Sequence, residues 1–180
     1  MKKIILLSMM AIASVTSASA LDISYKGFGE LYSGYAGAKN LDEESYSGVC
    51  YGLSTTHGVT LIDGLFVGAG LNICAVTCDD LSALLAVYAE GRYNFIPDRK
   101  VNPYVGMRLG GGYNGFTEGG SFYFSPAVGV AINFTDKFGI DAGLGYDLFT
   151  GRAERYYAGD VYEHVATNTN MITFRVGVHF

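Results

Sequence analysis

Residues 169–180 read T-N-M-I-T-F-R-V-G-V-H-F. Successive side chains of an extended strand point to opposite faces. Ile172, Phe174, Val176, Val178 and Phe180 therefore share one face, while Arg175 and His179 lie on the other. One side is uniformly apolar and the other carries an ion. That division decides the fold, because it recurs along most of the chain.

Working back from this segment, seven others alternate in the same way, at 23–37, 48–62, 65–77, 82–95, 103–114, 121–134 and 138–149. Each reaches the roughly 9–11 residues that a tilted membrane strand needs. In the first five segments the apolar set falls on odd positions, as in Leu65, Val67, Leu71 and Ile73, or Val105, Met107, Leu109 and Tyr113. In the last three it falls on even positions, as in Phe122, Phe124, Val128, Val130, Ile132 and Phe134. The first segment fits less well, since Gly27, Gly29 and Ser33 interrupt Ile23, Tyr25, Leu31 and Tyr35.

The opposite face collects every strand charge: Lys26, Glu30, Glu90, Arg92, Arg108, Asp141, Asp147 and Arg175. The two signs balance. A soluble sandwich would bury its apolar faces together and solvate its charges. Turning Arg or Lys to the bilayer centre instead costs roughly 2–4 kcal/mol, so balanced ions confined to one face favour a membrane barrel with ions inside. Aromatics at both ends of the apolar face read as two interfacial girdles. Tyr93, Phe95, Phe134, Phe138 and Phe180 form one, and Tyr35, Tyr51, Tyr113, Phe122, Tyr146 and Phe149 the other.

Composition agrees. Mean hydropathy is +0.23, yet after Ala20 no apolar run approaches the roughly 18 residues of a membrane helix. The apolar character is dispersed among 25 Gly and 14 Tyr. Residues 1–20 are a separate element: Lys2 and Lys3, the apolar run Ile4 to Val15, and Ala18-Ser19-Ala20 have the tripartite order of a cleaved signal peptide. The expected domain is thus 21–180, an all-β, eight-stranded antiparallel transmembrane barrel of up-and-down order. Short turns at Ile62-Asp63-Gly64, Ile96 to Asn102 and Thr135-Asp136-Lys137 alternate with more polar connections at 38–47, 78–81, 115–120 and 150–168. Outer-membrane barrels have that asymmetry, with short periplasmic turns and longer outer loops. Net charge is −5, and more negative once Lys2 and Lys3 are removed, which argues against a nucleic-acid partner.

Three motifs carry a resemblance. Pro103-Tyr104-Val105-Gly106 with Gly110-Gly111-Gly112-Tyr113, Phe134-Thr135-Asp136-Lys137 before an alternating strand, and the ending Phe174-x-Val176-x-Val178-x-Phe180 resemble small eight-stranded outer-membrane barrels of the OmpA and OmpX type. The resemblance spans the whole mature chain. It implies residence in the bacterial outer membrane, contact with its lipid and lipopolysaccharide, and a C-terminal signal read by the outer-membrane assembly machinery.

Chemical motifs are sparse. Gly110 to Gly115 formally matches a dinucleotide fingerprint, but that motif works only between a strand and a helix N-terminus, and here it lies within a strand pattern. The enclosed charges can plug the interior or line a narrow pore; eight strands leave room only for side chains, which favours the plug. His57 falls on the lipid face with Thr55 as its hydroxyl neighbour, His164 in the last outer connection and His179 inside, so they do not converge. Some barrels of this size are lipid A-modifying enzymes with a His and a Ser on the outer wall, and a deacylase-like enzyme stands as the alternative function. Cys50, Cys74 and Cys78 lack zinc-finger spacing. Folding the second and third segments together sets Cys50 beside 76–78, so a Cys50–Cys78 disulfide and three free thiols both stand. Asp42-Glu43-Glu44 and Asp79-Asp80 read as solvated or cation-binding loop clusters. The expectation is a non-enzymatic surface-interaction barrel without a cofactor or metal, its contacts made by 38–47 and 150–168.

Overall fold

The protein is described by a computed structural model covering residues 23–39, 45–62, 64–77, 81–97, 99–116, 119–135, 137–157 and 161–180. The proposed signal peptide lies outside these residues. Eight strands follow in chain order: β1 Ser24–Lys39, β2 Ser45–Ile62, β3 Leu65–Thr77, β4 Leu81–Asn94, β5 Val101–Asn114, β6 Gly119–Asn133, β7 Gly139–Tyr157 and β8 Val161–His179. All pair antiparallel with their sequence neighbours, and β8 pairs with β1, closing the barrel in the order expected from the alternation. Among the described residues no helix is long and apolar enough to cross a membrane, which says nothing of crossing by strands.

Closure is carried by the segment that decided the fold. The β1–β8 register runs from Phe28↔His179 to Ala38↔Thr169. Beyond it the Gly27 amide donates to the Phe180 carbonyl at 2.7 Å, and the Phe180 amide donates back at 3.0 Å. A Cβ on Gly27 would stand 2.6 Å from the Phe180 ring, so the glycine lets that ring lie flat over the seam. The tight β2–β3 turn uses Gly64, whose φ of 84° suits a residue without a Cβ. Its carbonyl accepts from the Asn94 amide at 2.8 Å, tying the turn to β4.

Side chains sort by face. Leu31, Leu53, Leu71, Ile73, Val87, Leu109, Val128, Leu144, Ile172 and Phe174 are all exposed on the outside. Glu90, Arg92, Arg108, Asp141, Asp147 and Arg175 are all buried inside. An apolar exterior around an ionic interior inverts the arrangement of a water-soluble domain and matches a bilayer as solvent. Interior glycines give the enclosed side chains space. A Cβ on Gly145 would lie 2.5 Å from Arg175 Nη2, so Gly145→Val displaces that guanidinium. The expected cost is about 1–3 kcal/mol of overpacking, measured by urea unfolding in lipid vesicles.

Three expectations are corrected. Residues 150–168 are largely strand rather than loop: β7 and β8 pair continuously from Gly139↔His179 to Tyr157↔Val161. The backbone register carries the pairing through Arg155↔Glu163 and Tyr156↔Tyr162. Polar composition therefore did not mean loop. Phe149 is not in the outer girdle but wholly buried against Tyr123, with ring centroids 4.8 Å apart. Its odd number in β7 puts it on the interior face. β5 begins at Val101, because Asn102 turns inward and its Oδ1 accepts from the Ile96 amide at 3.0 Å.

One irregularity went unread in the sequence. The β6–β7 register stops at Phe124↔Leu148 and resumes at Ala127↔Gly145, skipping Ser125 and Pro126. Pro126 has no N–H to give to the ladder.

Candidate functional site

The barrel interior is the densest chemical feature, and it is layered. At mid-height Arg92 organises three carboxylates. Its Nη2 lies 2.7 Å from Glu30 and 3.1 Å from Glu90, and Nη1 lies 3.2 Å from Asp141. The guanidinium sits between two aromatic rings, 3.9 Å from the Phe28 centroid and 4.4 Å from that of Tyr104. Arg108 bridges the same two glutamates, through Nη2 to Glu30 and through Nε to Glu90 at 3.0 Å. Its Nη1 donates to Ser54 Oγ at 3.2 Å. Thr56 donates to Glu90 at 2.6 Å and Ser54 to Glu30 at 3.2 Å.

A second pair stands closer to the hairpin end. Arg175 meets Asp147 at 2.8 Å and donates to Ser125 Oγ at 2.7 Å. Tyr123 and Thr173 donate to the same carboxylate at 2.7 and 3.0 Å. Toward the termini, His179 Nδ1 lies 2.8 Å from Asp141 Oδ2. The seven ions Glu30, Glu90, Arg92, Arg108, Asp141, Asp147 and Arg175 are each at most 3% exposed. Desolvation this complete is tolerable only where the charges are paired and their remaining lone pairs filled. Lys26 differs: it is half-buried, with Nζ 5.6 Å from the Phe28 ring centroid.

Above the ions the filling becomes apolar. Ala36, Cys50, Cys74, Val76, Leu84, Ala86, Phe149 and Met171 cluster with Tyr32, Tyr88 and Tyr123, and Phe116 packs against them. The column is thus ionic at mid-height and oily toward the hairpins. The sequence pointed to the charged members by parity but not to their neutral partners. Ser54, Thr56, Asn72, Tyr88, Tyr104, Tyr123, Ser125 and Thr173 complete the lumen. All fall on the same interior parity as the ions, and that parity was the available signal.

The remaining candidates fall elsewhere. His57 is on the exposed wall, where Tyr25 Oη lies 2.6 Å from Nδ1 and Thr55 Oγ1 3.1 Å from Nε2. Tyr25 is a hydroxyl neighbour that sequence spacing did not bring to His57, since cross-strand register supplies it. Cys50 and Cys74 are buried free thiols, whereas Cys78 lies outside the described residues. Residues 40–44 and 78–80, with both acidic clusters, also lie outside them. Among the described residues no three His, Cys, Asp or Glu side chains converge as a metal site.

No protein-family model matches the sequence, and no curated protein matches it. Solved structures do resemble the fold. Neisserial surface protein A shares 20% identity, with a TM-score of 0.56 over 88% of this chain and 99% of that one. The outer membrane protein OprG of Pseudomonas aeruginosa shares 13%, with a TM-score of 0.50 over 86% and 96%. The outer membrane enzyme PagL shares 10%, with a TM-score of 0.48 over 81% and 97%. The chain has the fold of the small eight-stranded outer-membrane barrels.

Proposed function

We propose that this chain is exported by its N-terminal 20 residues and inserted in the bacterial outer membrane as a rigid, non-enzymatic barrel that displays contact surfaces outside the cell. The supporting observation is the filled interior. A network of seven buried ions under an apolar cap serves as a structural plug, fixing the wall from within. Function then falls to the ends of the strands. Binding commonly resides on segments held by a rigid scaffold. The elements in question are 38–47 and the β7–β8 hairpin within 150–168, contacting lipopolysaccharide and a surface ligand. The termini face the periplasm, and the Phe174, Val176, Val178 and Phe180 edge is the signal for the assembly machinery.

Three measurements test this reading. The protein fractionates with outer membranes and migrates heat-dependently on gels; recovery as a detergent-free soluble monomer overturns the membrane assignment. Planar-bilayer recordings of the refolded protein show no unitary conductance, and discrete steps overturn the plug. Against the lipid A deacylase-like alternative, lipid A mass spectra with and without the gene show one unchanged acyl pattern.

A further inference from the structure

Beyond the ionic plug, the oily layer contains an unusual donor set. Cys50, Cys74 and Met171 are each at most 1% exposed and belong to one cluster. Cys74 Sγ lies 3.8 Å from Met171 Sδ across the lumen. Cys50 stands on the same interior face, diagonal to Cys74 across the β2–β3 ladder, and packs in the same cluster. Three sulfurs from β2, β3 and β8 thus line one water-poor layer, two of them in contact.

The register bears on whether the two thiols form a disulfide. Cys50 stands opposite Val76, so Cys74 is its diagonal neighbour, two places along β3. Diagonal positions on paired strands are about 7–8 Å apart at Cα, whereas disulfides seldom exceed about 6.8 Å. The pair is held close enough to share a ligand and too far apart to bridge without moving the backbone.

We propose that Cys50, Cys74 and Met171 form a site for one soft, monovalent d10 cation of the Cu(I) class. Thiolate and thioether donors select such ions over harder ones. With metal–sulfur bonds of about 2.3 Å, three sulfurs around a trigonal ion sit about 4 Å apart, close to the 3.8 Å between Cys74 and Met171. Binding releases the two thiol protons to solvent, and the resulting site carries one net negative charge. Arg175 borders the layer, its guanidinium carbon 5.7 Å from the centroid of the Tyr32 ring. Its Nη1 is buried without a hydrogen-bond partner, leaving one donor uncommitted for the new anion. Because Phe149, Leu84 and Val76 pack in the same layer, the ion enters as the barrel closes rather than through a finished wall.

The test refolds the full mature chain in detergent with Cu(I) held reduced by ascorbate, then desalts it against a chromophoric Cu(I) chelator. A single retained equivalent is expected, released when heating unfolds the barrel. Cys50→Ser and Cys74→Ser abolish retention, and Met171→Leu weakens it by at least about tenfold, a loss already typical of an outer-shell partner. Cys78→Ser changes nothing. Heat-dependent gel migration verifies that each variant is folded. The proposal is overturned if the folded wild-type barrel retains no Cu(I), or if folded Cys50→Ser and Cys74→Ser barrels retain it unchanged. A Cys50–Cys74 disulfide found by non-reducing peptide mass spectrometry overturns it as well.

Discussion

Arg92→Met destabilises the barrel by about 3–5 kcal/mol, because it removes one partner of a buried ion network and leaves the others in place. Among the described residues Arg92 is the one guanidinium that touches Glu30, Glu90 and Asp141 together. Without it three carboxylates share the lumen with Arg108, which reaches the two glutamates but is not paired with Asp141. Methionine fills much of the volume between the Phe28 and Tyr104 rings, so the loss reports charge rather than a cavity. Arg92→Lys separates charge from geometry. It keeps the positive charge but not the planar fork that meets three acceptors and stacks between two rings, so its cost falls between wild type and Met. Asp141→Asn in the Arg92→Met background recovers part of the loss, since the carboxylate that Arg108 does not reach is then neutral. Equilibrium urea unfolding in lipid vesicles gives all four values. An Arg92→Met barrel as stable as wild type would show that water enters the lumen freely and would remove the plug.

How much of this was legible beforehand follows from what parity can and cannot encode. The period of two located all eight strands and assigned Arg92, Arg108 and Arg175 to one face, because a register slip of one residue would turn each of them into lipid. It could not say that Arg92 reaches Asp141 across the lumen, since β4 and β7 are not neighbours in the sheet. Cross-lumen partners depend on the shear of the closed barrel, which no single segment carries. Phe149 was misplaced for a different reason: an aromatic near a strand end was assigned to the girdle, although its odd position in β7 belonged inside. Residues 150–168 read as loop because the stretch is longer and more polar than the alternating segments. Among the described residues, β7 beyond Gly151 pairs with β8 and no longer with β6, and a ribbon that extends past the wall has no lipid face to write into its sequence. The pairing of Tyr25 with His57 lay equally out of reach, since it joins two strands through a register known only after folding.

Val128→Arg, on the opposite side of the wall from those ions, costs about 2–4 kcal/mol, the range found for a cation at the bilayer midplane. Val128 is 57% exposed and lies midway along β6 between Phe122 and Phe134, which mark the two aromatic ends of the apolar face. Val101 is nearly as exposed at 54%, but it begins β5 beside the short turn at the terminus end. An arginine there reaches the headgroups, so Val101→Arg costs at most about 1 kcal/mol. Exposure to water would make the two substitutions equivalent, because both place a charge on a surface that a soluble protein would solvate. Their difference therefore measures depth in hydrocarbon and nothing else about the barrel. Unfolding free energies in vesicles supply the comparison, and equal costs at 101 and 128 would mean that the apolar belt does not face lipid. The same pair also limits how the wall can tilt. If Val101→Arg proved the more costly of the two, the hydrocarbon would have to be centred near the short turns, leaving Phe122, Tyr113 and Tyr146 above it in water rather than at an interface.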